Sequence, residues 1–580
     1  MNNRPIPKQI VRRTYKTPTH EAFLNLHPVL QRIYAARNVV APHELDVGLK
    51  HLHPYHTLLG IDRAASLLGD AIMTHQRILI VGDFDADGAT SSALAMRALK
   101  SFGAKNIQFL VPNRFMYGYG LTPELVDAAK QFTPDVMVTV DNGIANHAGV
   151  LAAKRSGAKV IITDHHLPPS ELPEADVIVN PNQAGDPFPS KHLAGVGVIF
   201  YVMLAVKQYL SDQTWFTTQQ IEPPNMTQYL DLVALGTVAD LVTLDHNNRI
   251  LVHQGLRRIR AGQCASGIIA LLELANRDFT KATTADLGFA AAARLNAAGR
   301  MDDMSLGIAC LLADDAVKAR EIARSLDQFN DERKSVEQDM QIKALSIIER
   351  LQDKLRDLPQ GLCLYDPDWH QGVIGILAAR IKERYHRPTI VFAPGQAGEL
   401  KGSARSIAGI HLRDMLALID VQHPGLMIKF GGHAMAAGLS ILPAHFNEFE
   451  RVFDDVITKN VSKEIFEPLL WSDGALHADD LNLTLATLLR DSGPWGQAFP
   501  EPLFDDCFDI VEQRLVGDKH LKCRLMKDGK VIDAIAFFVD TNQWPNHRCV
   551  RLRALYRLDI NEYKGLSKLQ LIIDYFEAQA

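Results

Sequence analysis

The chain has 580 residues with a net charge of −6, 47% hydrophobic and 22% charged residues, so it holds enough apolar material for about three or four packed domains. That balance excludes a single small module, wholesale disorder and a protein that is basic throughout, but leaves room for a local basic channel. Six cysteines at 264, 310, 363, 507, 523 and 549 form no CxxC pair, which predicts reduced thiols in a cytoplasmic protein and argues against a disulfide framework or a zinc ribbon.

Residues 1–50 carry eight Lys/Arg against three Asp/Glu, with no helical or strand period before about Glu21. They are read as a basic N-terminal arm, either solvated or in contact with phosphates. No apolar segment follows the first charges, so no secretory leader is expected. Residues 51–313 form the first domain. Between 77 and 180 the short apolar runs RILIVGD, IQFLVPN, VMVTVDN, KVIITDH and DVIVNP alternate with helical stretches such as Ala89 to Phe102 and Thr122 to Phe132. This spacing predicts a parallel sheet with helices on its faces. Leu193 to Val206 is apolar for fourteen residues, shorter than the ~20 needed to cross a bilayer, and is read as a buried helix.

A mostly helical region extends to about 312. Asp314 to Leu358 then contains neither Pro nor Gly, and residues 314–360 are read as a connecting helix. Residues 361–465 resume an α/β pattern and include LMIKFGGHAMAAGLSI, read as a single glycine-rich strand. Residues 466–580 hold the alternating runs FDIVEQRLV, HLKCRLM, VIDAIAFFV, VRLRALYRL and LQLIIDYF between turn residues, which predicts a small antiparallel barrel or sandwich. The fold class is therefore α/β, with a parallel-sheet domain joined by a long helix to a smaller α/β domain, followed by a C-terminal OB-like β domain.

The chemistry concentrates where strands end. Gly82-Asp-Phe-Asp-Ala-Asp-Gly88 follows RILIV and places Asp83, Asp85 and Asp87 at alternate positions. Three carboxylates so close repel one another unless a cation offsets them. An EF-hand loop fits as far as Gly88, but its twelfth position is Leu94 where a Glu is needed, and a strand precedes it. Two further strands end in Asp141-Asn-Gly143 and Asp164-His-His166, and Asp240 lies at a turn closing the predicted helix Met226 to Leu235. In a parallel sheet, ligands collect beyond the carboxyl ends of the strands, which is where these groups fall. Carboxylates with one imidazole suit manganese or magnesium better than zinc. A pair of such ions can activate water against a phosphate, which predicts phosphoryl transfer to water.

In this order GDFDADG, VDNG, TDHH and GTVAD resemble the DHH phosphoesterase superfamily. RLNAAGRM, GSARS and GGHAMAAG, with the length, resemble its bacterial branch of single-strand-specific DNA exonucleases that carry a DHHA1 domain. The resemblance implies metal ligation by Asp85, Asp87, Asp141, His165 and Asp240, with Asp141 bridging two ions and Asp83 either a further ligand or a group behind the ligands. It implies that His166 faces the substrate phosphate and that Asp164 orients an imidazole. Val81 is a departure, since several DHH enzymes have a histidine there; Asp83 or substrate oxygens would then complete the first of one or two Mn2+ or Mg2+ sites.

Ser403 and Arg405 lie two apart on a predicted strand and so share a face, where they can grip a terminal phosphate, with Arg114 as the third member that the resemblance implies. Gly431 to Gly438 either admits a nucleotide beside His433 or packs tightly. Arg294, Asn296 and Arg300 contact phosphate or form structural ion pairs. In the last domain Arg551, Arg553 and Arg557 form one basic group, and Lys519, His520, Lys522 and Arg524 a second. That domain nevertheless holds thirteen Lys/Arg against eighteen Asp/Glu, so a DNA face must be confined. Trp495, Trp544 and Tyr563 are either stacking platforms or core. The activity implied is 5′ to 3′ hydrolysis of single-stranded DNA to 5′-mononucleotides by a monomer without membrane contact, in recombination and repair, with single-strand binding protein as a partner. Two alternatives are a DHH hydrolase of oligonucleotides or cyclic dinucleotides and a non-catalytic DNA scaffold.

Overall fold

The computed structural model describes residues 8–16, 20–113, 116–117, 120–354, 358–395, 398–517, 519–563 and 565–579. It divides into two compact units, one of Arg12–Asn330 with Ser472–Ala580 and one of Met1–Val11 with Asp331–Trp471. Strand β1 (Gln9–Arg12) is the first element among the described residues.

The larger unit is organised by a five-stranded sheet of β2 (Ile78–Val81), β3 (Ile107–Leu110), β4 (Val136–Val140), β5 (Lys159–Thr163) and β6 (Val177–Val179), in the order β3-β2-β4-β5-β6. All of its pairings are parallel. The central strands ILIV and VMVTV are buried along their whole length, as expected of a sheet covered on both faces. Ile80, Val138 and Ile161 face the main core, while Leu79, Val81, Met137 and Ile162 pack in a second apolar layer with Leu121, Leu125 and Val126. Val81 thus serves this second layer. Val81 pairs with Thr139 and Val140 with Thr163, so the three strands end level with one another.

The helix expected from Ala89 begins earlier and spans Ala86–Ser101, because the Asp85 carboxylate caps it by accepting from the amides of Asp87 and Gly88, each at 3.0 Å. Leu193 to Val206 lies mostly within the buried helix Gly195–Asp212. The predicted helix Met226 to Leu235 becomes a 3-10 turn, Met226–Tyr229, followed by the helix Leu230–Ala239, with Asp240 at its C-terminal cap. No helix among the described residues is long and apolar enough to cross a membrane.

The N-terminal segment is not a solvated arm in its described part. Arg12 makes a bidentate contact with Asp505, and Arg37 makes a buried one with Asp473 at 2.9 and 3.1 Å. These positive charges neutralise acids of the C-terminal region.

The smaller unit contains β7 (Leu362–Tyr365), β8 (Thr389–Pro394), β9 (Leu400–Arg405), β10 (Lys429–Gly432) and β11 (Ala436–Ile441), in the order β10-β11-β9-β8-β7. The glycine-rich run forms two strands where one was expected. Gly432 has φ 142°, a conformation that L side chains rarely adopt, and the His433 amide donates to the Ala436 carbonyl at 2.8 Å, which reverses the chain into an antiparallel hairpin. The long helix runs unbroken over Ala316–Lys354, and its Met340, Ala344 and Ile348 pack against Leu362, Leu364 and Leu377.

After β12 (Leu469–Ser472), which pairs with β1, come β13 (Phe504–Val516), β14 (His520–Lys527), β15 (Lys530–Ala536), β16 (Arg551–Tyr563) and β17 (Leu566–Gln579). These five close into a barrel in the order β13-β14-β15-β17-β16, so the alternative of a sandwich falls away. Only the β15–β17 pairing is parallel.

Candidate metal centre

Level strand ends bring the acidic tips together. Oxygen and nitrogen atoms of Asp83, Asp85 and Asp141 lie within 4.8 Å of one another, as do those of Asp87, His165 and Asp240, and those of Asp141, His165 and His166. Asp141 and His165 each belong to two of these groups, so the three merge into one centre.

Each ligand is held by the fold beneath it. Asp87 accepts from the amides of Gly195 at 2.7 Å and Val196 at 3.0 Å, so its carboxylate also caps the helix Gly195–Asp212. A Cβ on Gly195 would come within 2.5 Å of the Asp141 Cβ, so only glycine permits this approach. Asp141 itself sits at φ 63°, where Asp and Asn are tolerated better than most residues. Asp164 accepts from the amides of Ile144, His165 and His166 and pairs with His166 Nδ1 at 2.8 Å.

The electrostatics are those of a cation site. His165 Nε2 is buried and makes no hydrogen bond among the described residues, yet it lies 3.1 Å from Asp141, 3.5 Å from Asp240 and 4.0 Å from Asp87 carboxylate oxygens. A buried nitrogen facing three carboxylates outside hydrogen-bond geometry fits a shared ion. Burial and the neighbouring Asp240 push Asp87 up to about 7, and burial with the charge of Asp85 pushes Asp240 up to about 7. Burial, then Asp87 and Asp85, raise Asp141 well above the carboxylate range. Burial also opposes a charge on His166, but the hydrogen bond and charge of Asp164 overcome this and lift it to about 9. Burial likewise would raise Asp164, yet the paired His166 holds it below the usual range. Hard oxygen donors with one imidazole suit manganese or magnesium.

Three asparagines to which the sequence reading gave no role hold this centre. Asn180 and Asn182 donate to the carbonyls of His166 at 2.9 Å and His165 at 2.6 Å. Buried Asn142 donates to the carbonyls of Val81 and Val140, joining two strand ends. Asn296, one of the candidate phosphate contacts, accepts from the Ala86 amide at 2.9 Å and so braces the first loop.

The remaining candidates divide. Arg294 is tied to Asp327 at 2.8 Å and to the Ala290 carbonyl, which is the structural alternative. Arg300 is half-buried in the last turn of the helix Ala293–Met301. Arg114 lies outside the described residues. In the smaller unit, Ser403 and Arg405 do share a face of β9, with Arg405 Nη1 donating to Ser403 Oγ at 3.2 Å. His433 is exposed at the β10–β11 turn. A side chain at Gly431 would meet nothing within 4 Å, so tight packing does not account for that glycine. Trp495 is core, stacked on Phe499 with its indole N–H on the Leu489 carbonyl, and Trp544 packs edge-on against Phe576. Arg553 and Arg557 are paired with Asp505, Glu501 and Asp574, and Arg551 lies 3.8 Å from Asp509.

Comparison with known proteins agrees with this geometry. Residues 77–237 match the DHH family N-terminal domain, 358–459 the DHHA1 domain and 472–575 the RecJ OB domain. The single-stranded-DNA-specific exonuclease RecJ of Salmonella typhimurium is 52% identical over 97% of this chain and 98% of its own length. The chain belongs to the RecJ family. The RecJ of Haemophilus influenzae is 49% identical over 95% of this chain and 96% of its own length. RecJ from Thermus thermophilus, crystallised with Mn2+, superposes with a TM-score of 0.79 at 28% identity, covering 96% of this chain and 77% of that one. Its Mg2+ form gives 0.73 at 27% identity, covering 96% and 76%.

Proposed function

We propose that this RecJ-family chain is a metal-dependent exonuclease specific for single-stranded DNA, hydrolysing phosphodiester bonds from the 5′ end and releasing 5′-mononucleotides. The carrying observation is the convergence of six candidate ligands, Asp83, Asp85, Asp87, Asp141, His165 and Asp240, in linked groups, with the buried His165 Nε2 making no hydrogen bond among the described residues. When bound, Mn2+ or Mg2+ supplies Lewis acidity toward a phosphate oxygen and the attacking water.

The chain's own groups divide the remaining work. Asp83, Asp85 and Asp141 would hold one ion, and Asp87, His165 and Asp240 a second, with Asp141 and His165 common to neighbouring groups. Asp164 pairs with Nδ1 of His166 and so would fix the orientation of the imidazole assigned to the substrate phosphate. The hydroxyl of Ser403 and guanidinium of Arg405 are assigned to the 5′-terminal phosphate, together with Arg114, and His433 to the approaching nucleotide. The family role extends the proposal to a cytoplasmic monomer that works beside single-strand binding protein in recombination and repair.

The test is degradation of a labelled single strand against the same sequence as a duplex and against a dinucleotide, with Mn2+ or Mg2+ supplied. Progressive shortening from the 5′ end of the single strand alone is expected. Equal cleavage of the dinucleotide with no shortening of the long strand would replace this reading by a small-substrate phosphodiesterase.

A further inference from the structure

A second group of metal-binding side chains lies outside the strand tips. Four of the 22 histidines fall between 43 and 56, in HELDVGLKHLHPYH, and histidine-rich tracts of this kind bind metals in many proteins. Two 3-10 turns, Pro42–Leu45 and Leu49–His51, fold the segment against the start of the helix His246–Arg260. His43, His51 and His246 thereby form a near-equilateral triangle, with ring centroids 5.6 Å apart for 43 and 246, 6.2 Å for 51 and 246, and 6.5 Å for 43 and 51. A Zn–N bond of about 2.0–2.1 Å puts each ring centroid about 3 Å from the ion, so three ligating imidazoles stand about 5–6 Å apart. The triangle is wider than this by about 1 Å at most, which small side-chain rotations close.

The two half-buried imidazoles already have the partner that a ligating histidine needs. His246 Nε2 donates to the Asp46 carbonyl at 2.9 Å and His51 Nε2 to the Asp46 carboxylate at 3.0 Å. Both oxygens can only accept, so in the neutral rings the proton sits on Nε2 and Nδ1 keeps a lone pair for a metal. The exposed ring of His43 completes the set. Asp46 and Glu44 place negative charge beside it, against Lys50 at 3.0 Å from Asp46 and Arg249 at 3.9 Å from Glu44.

We propose that His43, His51 and His246 bind one zinc ion, or another divalent ion that prefers nitrogen, separately from the oxygen-rich catalytic centre. Three imidazoles suit Zn2+, Ni2+ or Cu2+, whereas carboxylates suit Mn2+ and Mg2+. The ion clasps the N-terminal segment to the helix His246–Arg260, which packs on the helix Leu230–Ala239 that leads to Asp240. Its role is to stabilise that corner of the molecule.

The test is equilibrium dialysis of the full chain against Zn2+ with Mg2+ in excess, comparing the parent with His43→Ala. The position is exposed, so the variant should fold as the parent does and degrade single strands with Mn2+ at the parent's rate. It should bind one equivalent of Zn2+ at least about tenfold more weakly, the range seen when a metal's surroundings are cut. As an independent readout, Co2+ should give the parent the visible absorption of a tetrahedral nitrogen site, and His43→Ala should lose it. Equal Zn2+ stoichiometry and affinity in the two proteins, or a Co2+ spectrum that the substitution leaves unaltered, would overturn the proposal and leave the three histidines as a hydrogen-bonded surface cluster.

Discussion

The metal centre and the N-terminal contacts to the barrel handle buried charge in opposite ways. At the strand tips, Asp83, Asp87, Asp141 and Asp164 are buried together, and the ion partners found for Asp87, Asp141 and Asp164 are the histidines 165 and 166. Where the N-terminal segment meets the C-terminal region, Asp473 and Asp505 are equally buried, but Arg37 pairs with the first and Arg12 and Arg553 with the second. Balanced charge supports structure. Unbalanced charge, which raises Asp87, Asp141 and Asp240, is maintained at a cost in stability and points to a ligand.

The sharpest break of this contrast is at Asp141. Asp141→Ala should abolish cleavage, by at least about a thousandfold, since it removes a ligand common to two groups. Stability without metal should not fall by more than about 1–2 kcal/mol, because alanine tolerates the left-handed region less well than aspartate. A variant that cleaves normally would end the metal reading. In the opposite region Arg37→Met should destabilise by about 3–5 kcal/mol, because it strands the Asp473 carboxylate in the interior, while leaving metal affinity alone. Denaturant melts with metal titration separate the two effects.

Acidity provides the next test. Without a cation, the folded state keeps protons on Asp87 and Asp240 up to about pH 7, whereas the unfolded chain releases them near 4. The protection this gives is complete below about pH 4 and is lost as pH rises through 7. Mn2+ takes the place of those protons, so its gain in Tm should be small at about pH 5.5 and large at about pH 8. A gain independent of pH would show that the acids are not displaced by the ion. Asn182→Ala frees the His165 carbonyl and should lower kcat by about tenfold with strand binding intact, in the range of groups behind metal ligands. Arg551→Ala, at an exposed ion pair, should change stability by less than about 0.5 kcal/mol.

Much of the centre was legible because a strand that ends in Asp announces itself by period: RILIV, VMVTV and KVIIT each run straight into an acid. Level strand ends then bring them together. Asp240 was legible only as a turn residue, since its arrival depends on how a helix packs. Asn180 and Asn182 left no trace, because they act on backbone carbonyls that every residue has. The N-terminal segment was misread for a related reason. Arg12 and Arg37 find their partners 493 and 436 residues away, a separation at which charge runs in the sequence carry no information. The hairpin in the glycine-rich run turned on one positive φ at Gly432, which composition alone suggested as easily for packing.

The left-handed backbone at Asp141 narrows what can stand there. Asparagine shares the tolerance of aspartate for φ 63° and nearly its shape, but offers an amide in place of the charge. Asp141→Asn should thus yield an inert but undistorted form of the chain, suited to trapping an uncut strand for crystallography.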